Sequence, residues 1–178
     1  ATGGIVLVPR QSFRDAPRID LLLVPGGFGT RPLLQDAETI DWIRRTAAAA
    51  RRTASVCTGA LLLARAGLLD GRRATTHWGA FGLLASLAKD VTVDREVLFV
   101  DDGVMTSAGV ASGMDLALHI VETLFGRTVA DETARRGLRR EVEMLALVNH
   151  PVVVRGLRER LDGELDPQRP FGMARTAV

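Results

Sequence analysis

A single thiol, Cys57, stands between a short apolar stretch, Thr53 to Val56, and a longer one, Gly59 to Ala66. A cysteine between a strand and a helix occupies the position of a nucleophile elbow, where a sharp turn lifts the side chain above the sheet edge. There it faces backbone N–H groups and the positive end of a helix dipole, which favour the thiolate, the nucleophilic form. Thr58 and Gly59 let the backbone come close. A lone cysteine is often only a small buried hydrophobe, but this one falls at the turn and not inside an element. Three more junctions carry polar or flexible residues: Gly26-Gly27, His77-Trp78 and Ser107 to Gly109. Glycine permits an N–H to face inward, so Gly27 could stabilise negative charge developing beside the thiol; a plain tight turn is the other reading. His119, mid-helix beside Ile120, reads as structural, and His150, before Pro151, as a loop residue. Trp78 reads as core at a strand end, with pocket wall as its second reading. Phe28, Leu33, Trp78 and Val110 suggest a small, partly apolar ligand.

Such junctions need strands that end together. IDLLLVPGG (19–27) is a continuous apolar run closed by Pro-Gly-Gly, suited to a strand buried on both faces. From Asp36 to Arg52, Ile40, Ile43, Ala47 and Ala50 recur at helical spacing, with acids early and arginines late, the charge order a helix dipole favours. Residues 53–56 read as a strand, 58–66 as a helix stopped by Gly67, 74–78 as a strand end and 79–87 as a short helix. VTVD and VLFV predict a hairpin-like pair around Arg95-Glu96. Residues 105–109 form a strand-to-loop junction, 112–126 a long buried helix and 128–148 one more. The stretch 162–178 reads as an ordered tail or arm. Strands alternating with helices predict a doubly wound α/β sandwich with a mostly parallel sheet, in which ligands bind beyond the strands' carboxyl ends.

Composition sets limits. The chain has 178 residues, 47% hydrophobic and 25% charged, which suits one domain. Its net charge of +2 comes almost wholly from arginine, Lys89 being the sole lysine. The densest basic group, residues 134–143, is interrupted by acids as on a solvated helix face, so nucleic-acid contact is not expected. One cysteine leaves no internal disulfide and no multi-cysteine metal site. Neither a run of about 18 apolar residues nor a signal-peptide pattern occurs. The expectation is a cytoplasmic protein with no membrane contact, no metal and no cofactor.

Three blocks together carry a family resemblance: VPGGFGT (24–30), SVCTGALLLARAGLLDGRRATTHW (55–78) and DGVMTSAGVASGMDLALHIVE (102–122). The chain resembles the DJ-1/PfpI superfamily of class I glutamine-amidotransferase-like domains from about residue 3 to 171. Within it, the sequence is similar to isonitrile hydratases and to the amidase-like domains of AraC-type regulators. The resemblance implies a flavodoxin-like three-layer α/β sandwich with a nucleophile elbow, spanning 1–178 as one domain. It implies that Cys57 is the nucleophile, that the amides of Gly27 and Thr58, next to Gly26, form an anion hole, and that His77 lies near the thiol, where it either lines the pocket or carries a proton. Protease-like members place a histidine directly after the cysteine; Thr58 stands there, so a dyad of that type is not expected. Homodimers are common in the family. Members also begin with a further strand and helix bearing a carboxylate that contacts the cysteine. That segment is expected upstream of Ala1, and neither Asp15 nor Asp20 takes its place. The implied function is addition of water to an isonitrile. The alternatives are a metabolite-sensing domain, as in AraC-type regulators, and a stress-responsive thiol protein.

Overall fold

The computed structural model describes residues 8–109 and 111–147, the side chains of the last helix being described through Gly137. In chain order the elements are β1 (Leu21–Val24), α1 (Thr30–Leu33), α2 (Ala37–Ala49), β2 (Arg52–Val56), α3 (Gly59–Arg65), β3 (Arg73–Ala74), a 3-10 turn (Trp78–Ala80), α4 (Phe81–Leu87), β4 (Thr92–Val93), β5 (Phe99–Asp101), β6 (Met105–Ser107), α5 (Ser112–Phe125) and α6 (Arg127–Leu147). The main sheet has the order β1-β2-β6-β5. β1, β2 and β6 are parallel, and β5 runs antiparallel to β6.

The sheet is covered on both faces, which is the expected three-layer α/β arrangement. Alternate residues of a strand face opposite sides. Leu22 and Val24 of β1 therefore join the larger core with Ile40 and Ile43 of α2, Leu61 and Leu63 of α3, and Leu84 of α4. Ala54 of β2 and Met105 of β6 face the other way and meet Leu116 and Ile120 of α5. α3 is buried along nearly its whole length, Gly59 to Ala64. An all-round apolar helix of this kind can only sit inside a core.

α2 shows how local sequence sets a boundary. Asp36 caps its first turn, accepting from the Glu38 and Thr39 N–H groups and from the Thr39 hydroxyl at 2.6 Å. The Thr39 hydroxyl bond, ahead of the two backbone bonds, holds the Asp36 carboxyl below its ordinary value. A carboxyl depressed in the folded state contributes stability in full above its unfolded value, roughly pH 4, and loses it as pH falls through the folded value. The melting difference between wild type and Asp36→Asn is therefore expected to be constant from neutral pH down to about pH 4 and to shrink below it. A difference that grows in acid would contradict the cap.

Several expected boundaries shift. α2 ends at Ala49, because Ala50 is extended and the N–H groups of Arg51 and Arg52 both donate to the Asp20 carbonyl, turning the chain into β2. α1 has no counterpart in the expected elements; its Pro32 lies in a first turn, where the missing N–H costs nothing. The hairpin expected around Arg95-Glu96 does not form. β4 pairs in parallel with β3, where Arg73 and Asp94 form an ion pair of 2.7 Å. The hairpin is instead β5–β6, with Asp101 opposite Met105 and Gly103 at a φ of 76° in the connecting turn. Asp-Gly with a left-handed glycine is a strong hairpin signal. The strand expected to run through 74–78 ends at Ala74. α5 is not buried all round: Ser112, Leu116 and Ile120 make one buried stripe, while Met114, Leu124 and Phe125 are exposed. The tail 162–178 and His150 lie outside the described residues. Among the described residues no helix is long and apolar enough to cross a membrane.

Candidate functional site

β2 ends at Val56, α3 begins at Gly59, and the two residues between them make a tight corner. Cys57 sits in that corner with a φ of 57°. A left-handed backbone at a non-glycine residue is strained and persists only where its surroundings fix it. The surroundings are specific. The Cys57 N–H donates to the Ser107 carbonyl at the end of β6 at 2.9 Å. The Thr76 hydroxyl donates to the Cys57 carbonyl at 2.9 Å. Chains arriving from β6 and from β3 thus grip the corner from two sides.

The third grip comes from the loop after β1. A Cβ on Gly26 would lie 2.7 Å from the Thr58 nitrogen and 2.8 Å from the Cys57 Cβ. On Gly59 it would lie 2.1 Å from the Val24 carbonyl oxygen. The Pro-Gly-Gly loop and the elbow are therefore packed backbone against backbone, and glycine is required on both sides of the contact. Gly27, at a φ of 138°, donates its N–H to the Thr58 hydroxyl at 2.9 Å. The Thr30 hydroxyl donates to the Gly27 carbonyl at 2.8 Å and lies 3.1 Å from the Thr58 hydroxyl. Gly26, Gly27 and Thr58 are accordingly brought together around Cys57. The Gly27 amide is engaged by Thr58, so an anion drawing on it must displace that hydroxyl.

His77 follows Thr76 on the same rim and is half-buried. Its Nδ1 accepts from the Gly79 N–H at 3.2 Å, which places the proton of the neutral ring on Nε2. Among the described residues neither His77 nor a carboxylate is hydrogen-bonded to the Cys57 sulfur. Trp78 is 77% exposed, so the expectation of a core residue is corrected. The reason is the early end of β3, which leaves Trp78 to open a 3-10 turn beyond the sheet. Phe28 is 86% exposed on the neighbouring loop, while Leu33 packs against the larger core. Val110 lies outside the described residues. His119 is placed away from these loops and structurally: its Nε2 lies 2.9 Å from Asp101 Oδ2, joining α5 to β5. Among the described residues no group of three or more His, Cys, Asp or Glu could hold a metal ion.

Thr30, Thr76 and Ser107 are site residues that pattern alone did not single out for these roles. Their contribution is a hydroxyl or carbonyl delivered from a distant loop, which no local spacing announces.

Comparisons with known proteins place the chain in a family. The model of the DJ-1/PfpI family matches residues 2–123. The isonitrile hydratase of Pseudomonas putida is 46% identical over 123 residues, 69% of this chain and 53% of that protein. The HTH-type transcriptional regulator GbdR of Pseudomonas aeruginosa is 31% identical over 130 residues, 73% of this chain and 35% of the regulator. The chain thus spans about half the length of the one curated relative and about a third of the other. A crystal structure of a ThiJ/PfpI family protein from Pseudomonas syringae superposes with a TM-score of 0.67 at 33% identity, covering 94% of this chain and 59% of that one. With every described strand, the elbow and most of α5 inside the matched residues, the chain belongs to the DJ-1/PfpI family.

Proposed function

We propose that this domain is a cysteine-dependent hydratase of the isonitrile hydratase type, converting R–N≡C and water to the formamide R–NH–CHO. The observation that carries the reading is Cys57 itself: a half-exposed thiol held in a strained turn by three separate chain segments. The likeness to an isonitrile hydratase supports the choice of substrate.

In this reaction the Cys57 sulfur bonds to the terminal isonitrile carbon, and the proton that leaves the thiol ends on that carbon, giving the thioimidate R–N=CH–S–Cys57. Water then adds to the same carbon, one of its protons goes to nitrogen, and the C–S bond breaks to return the thiol. Covalent catalysis replaces one difficult hydration with two easier steps. The amides of Thr58 and Gly27 stabilise charge as water adds, Gly27 exchanging its bond to Thr58 for one to the intermediate. His77 lines the pocket with its Nε2–H as a donor, and exposed Phe28 and Trp78 offer apolar surface to R. The test is whether the purified protein forms a formamide from a simple alkyl isonitrile; an isonitrile that persists at the rate of buffer alone overturns the proposal.

The likeness to GbdR favours a second reading, a ligand-sensing domain that uses the same pocket without turnover. Under that reading a ligand raises the melting temperature of wild type and Cys57→Ala equally, and nothing is consumed.

The hydratase is further proposed to act as a homodimer. Met114, Leu124, Phe125 and Val129 lie exposed along α5 and the start of α6, apolar surface that a second copy would cover. Sedimentation equilibrium at micromolar concentration is expected to give twice the chain mass, and a monomer would contradict it.

A further inference from the structure

β2 runs from the elbow at one end to a second concavity at the other. There the end of α2, the start of β2, the turn from Gly67 to Asp70 and the β5–β6 turn enclose a cleft of about 390 Å³. Four arginines, Arg44, Arg51, Arg52 and Arg72, are among the residues that line it, with one acidic residue, Asp70.

The four arginines divide into two kinds. Arg44 donates through Nε to the Ala66 carbonyl at 3.2 Å and pairs with Asp41 at 2.5 Å. Arg72 donates to the Asp102 carbonyl at 2.7 Å. These bonds orient the two groups and use only part of a guanidinium's five donors. Arg51 and Arg52 make no ion pair or side-chain hydrogen bond among the described residues. Their backbone is nevertheless fixed, because both N–H groups donate to the Asp20 carbonyl, at 2.9 and 3.0 Å. Asp70 is already committed, its Oδ1 accepting the Lys89 N–H at 2.9 Å.

Like charges gathered in one concavity repel unless an anion lies among them. Planar forked donors match the oxygens of phosphate and carboxylate. We propose that this cleft binds a small, multiply charged oxyanion, a metabolite bearing phosphate or carboxylate groups, at a site separate from Cys57. The volume suits a small molecule. Asp41, Asp70 and Asp102 around the arginines disfavour an extended polyanion such as nucleic acid.

Calorimetric titration at low ionic strength with pyrophosphate and, separately, citrate tests the site and tells the two oxyanion classes apart. Saturable one-to-one binding of at least one probe is expected. The double variant Arg51→Ala/Arg52→Ala should weaken it by roughly tenfold or more, since charge-assisted bonds to both groups are lost. Both side chains are exposed, so the variant should melt with wild type when no anion is present. Arg135→Ala/Arg136→Ala removes equal charge from exposed positions on α6 and should leave affinity unchanged. Saturable binding of neither probe would overturn the proposal. So would binding that survives the cleft substitutions, or an equal loss in the α6 variant, which would mean that only overall charge attracts the anion.

Discussion

Cys57→Ala is expected to abolish formamide formation, lowering kcat/KM by at least about a thousandfold, the order of loss seen when a nucleophile is removed from a site whose binding groups remain. The substitution removes one atom that matters chemically and little that matters structurally. Alanine meets the same cost as cysteine at a φ of 57°, and the bonds that fix the turn, from Cys57 N–H to Ser107 and from Thr76 to the Cys57 carbonyl, are backbone bonds at residue 57. Circular dichroism should therefore show a folded variant melting close to wild type. Wild-type activity in that variant would remove the thiol from the mechanism. A ligand that still stabilises the variant while turnover is gone is what the proposed chemistry requires, because the Thr58 and Gly27 amides and the apolar rim stay in place.

Among the described glycines in an ordinary backbone conformation, Gly59 is expected to cost the most stability when changed to alanine. Its Cβ would meet the Val24 oxygen at 2.1 Å, the Val24 carbonyl carbon at 2.9 Å and the Pro25 carbonyl carbon at 3.0 Å. All three are main-chain atoms, so no rotamer change relieves the clash. Either α3 or the end of β1 must move, and β1 is tied to β2 along its whole length, from Leu21 opposite Arg52 to Val24 opposite Ser55. Overpacking against rigid structure costs on the order of 3 kcal/mol. At the size of this chain that lowers the melting temperature by roughly 6–12 °C. Gly82→Ala is the internal control. Gly82 is exposed within α4, and nothing lies within 4 Å of the added Cβ. Alanine there should be neutral or stabilising by about 0.5–1 kcal/mol, because helical glycine has more backbone entropy to lose. Equal melting temperatures for the two variants would show that the β1 loop does not press on the elbow.

The contrast between these glycines marks what could be read from sequence. The layers were legible because apolar runs and helical spacing report burial: the stretch after Cys57 became the buried α3, and IDLLLVPGG became β1 and its loop, though not a strand buried on both faces, since β1 ends the described sheet and Leu23 is 50% exposed. The elbow was legible because a thiol between two apolar elements, followed by Thr-Gly, has few other places to be. The pairing of short strands was not. Thr92–Val93 and Phe99–Asp101 are two and three residues long, so their partners are chosen by the tertiary frame, and the better hairpin signal, Asp102-Gly103, lay a few residues on. The exposure of Trp78 was not legible, because it depends on where β3 stops, at Ala74, four residues before it. The links from Thr30, Thr76 and Ser107 to the elbow each span a large sequence separation. Periodicity holds no information about them; only the closed fold brings those groups within hydrogen-bond distance.

The central claim is that the Cys57 sulfur bonds to substrate carbon, and the chain's having a single cysteine makes that bond directly observable. The measurement is mass spectrometry of protein acid-quenched during turnover of an alkyl isonitrile, followed by peptide mapping. The proposed chemistry predicts a population heavier by the full mass of the isonitrile, carried on the peptide that contains Cys57 and absent once substrate is consumed. Formamide formation that continues after Cys57 has been fully capped with iodoacetamide would contradict it.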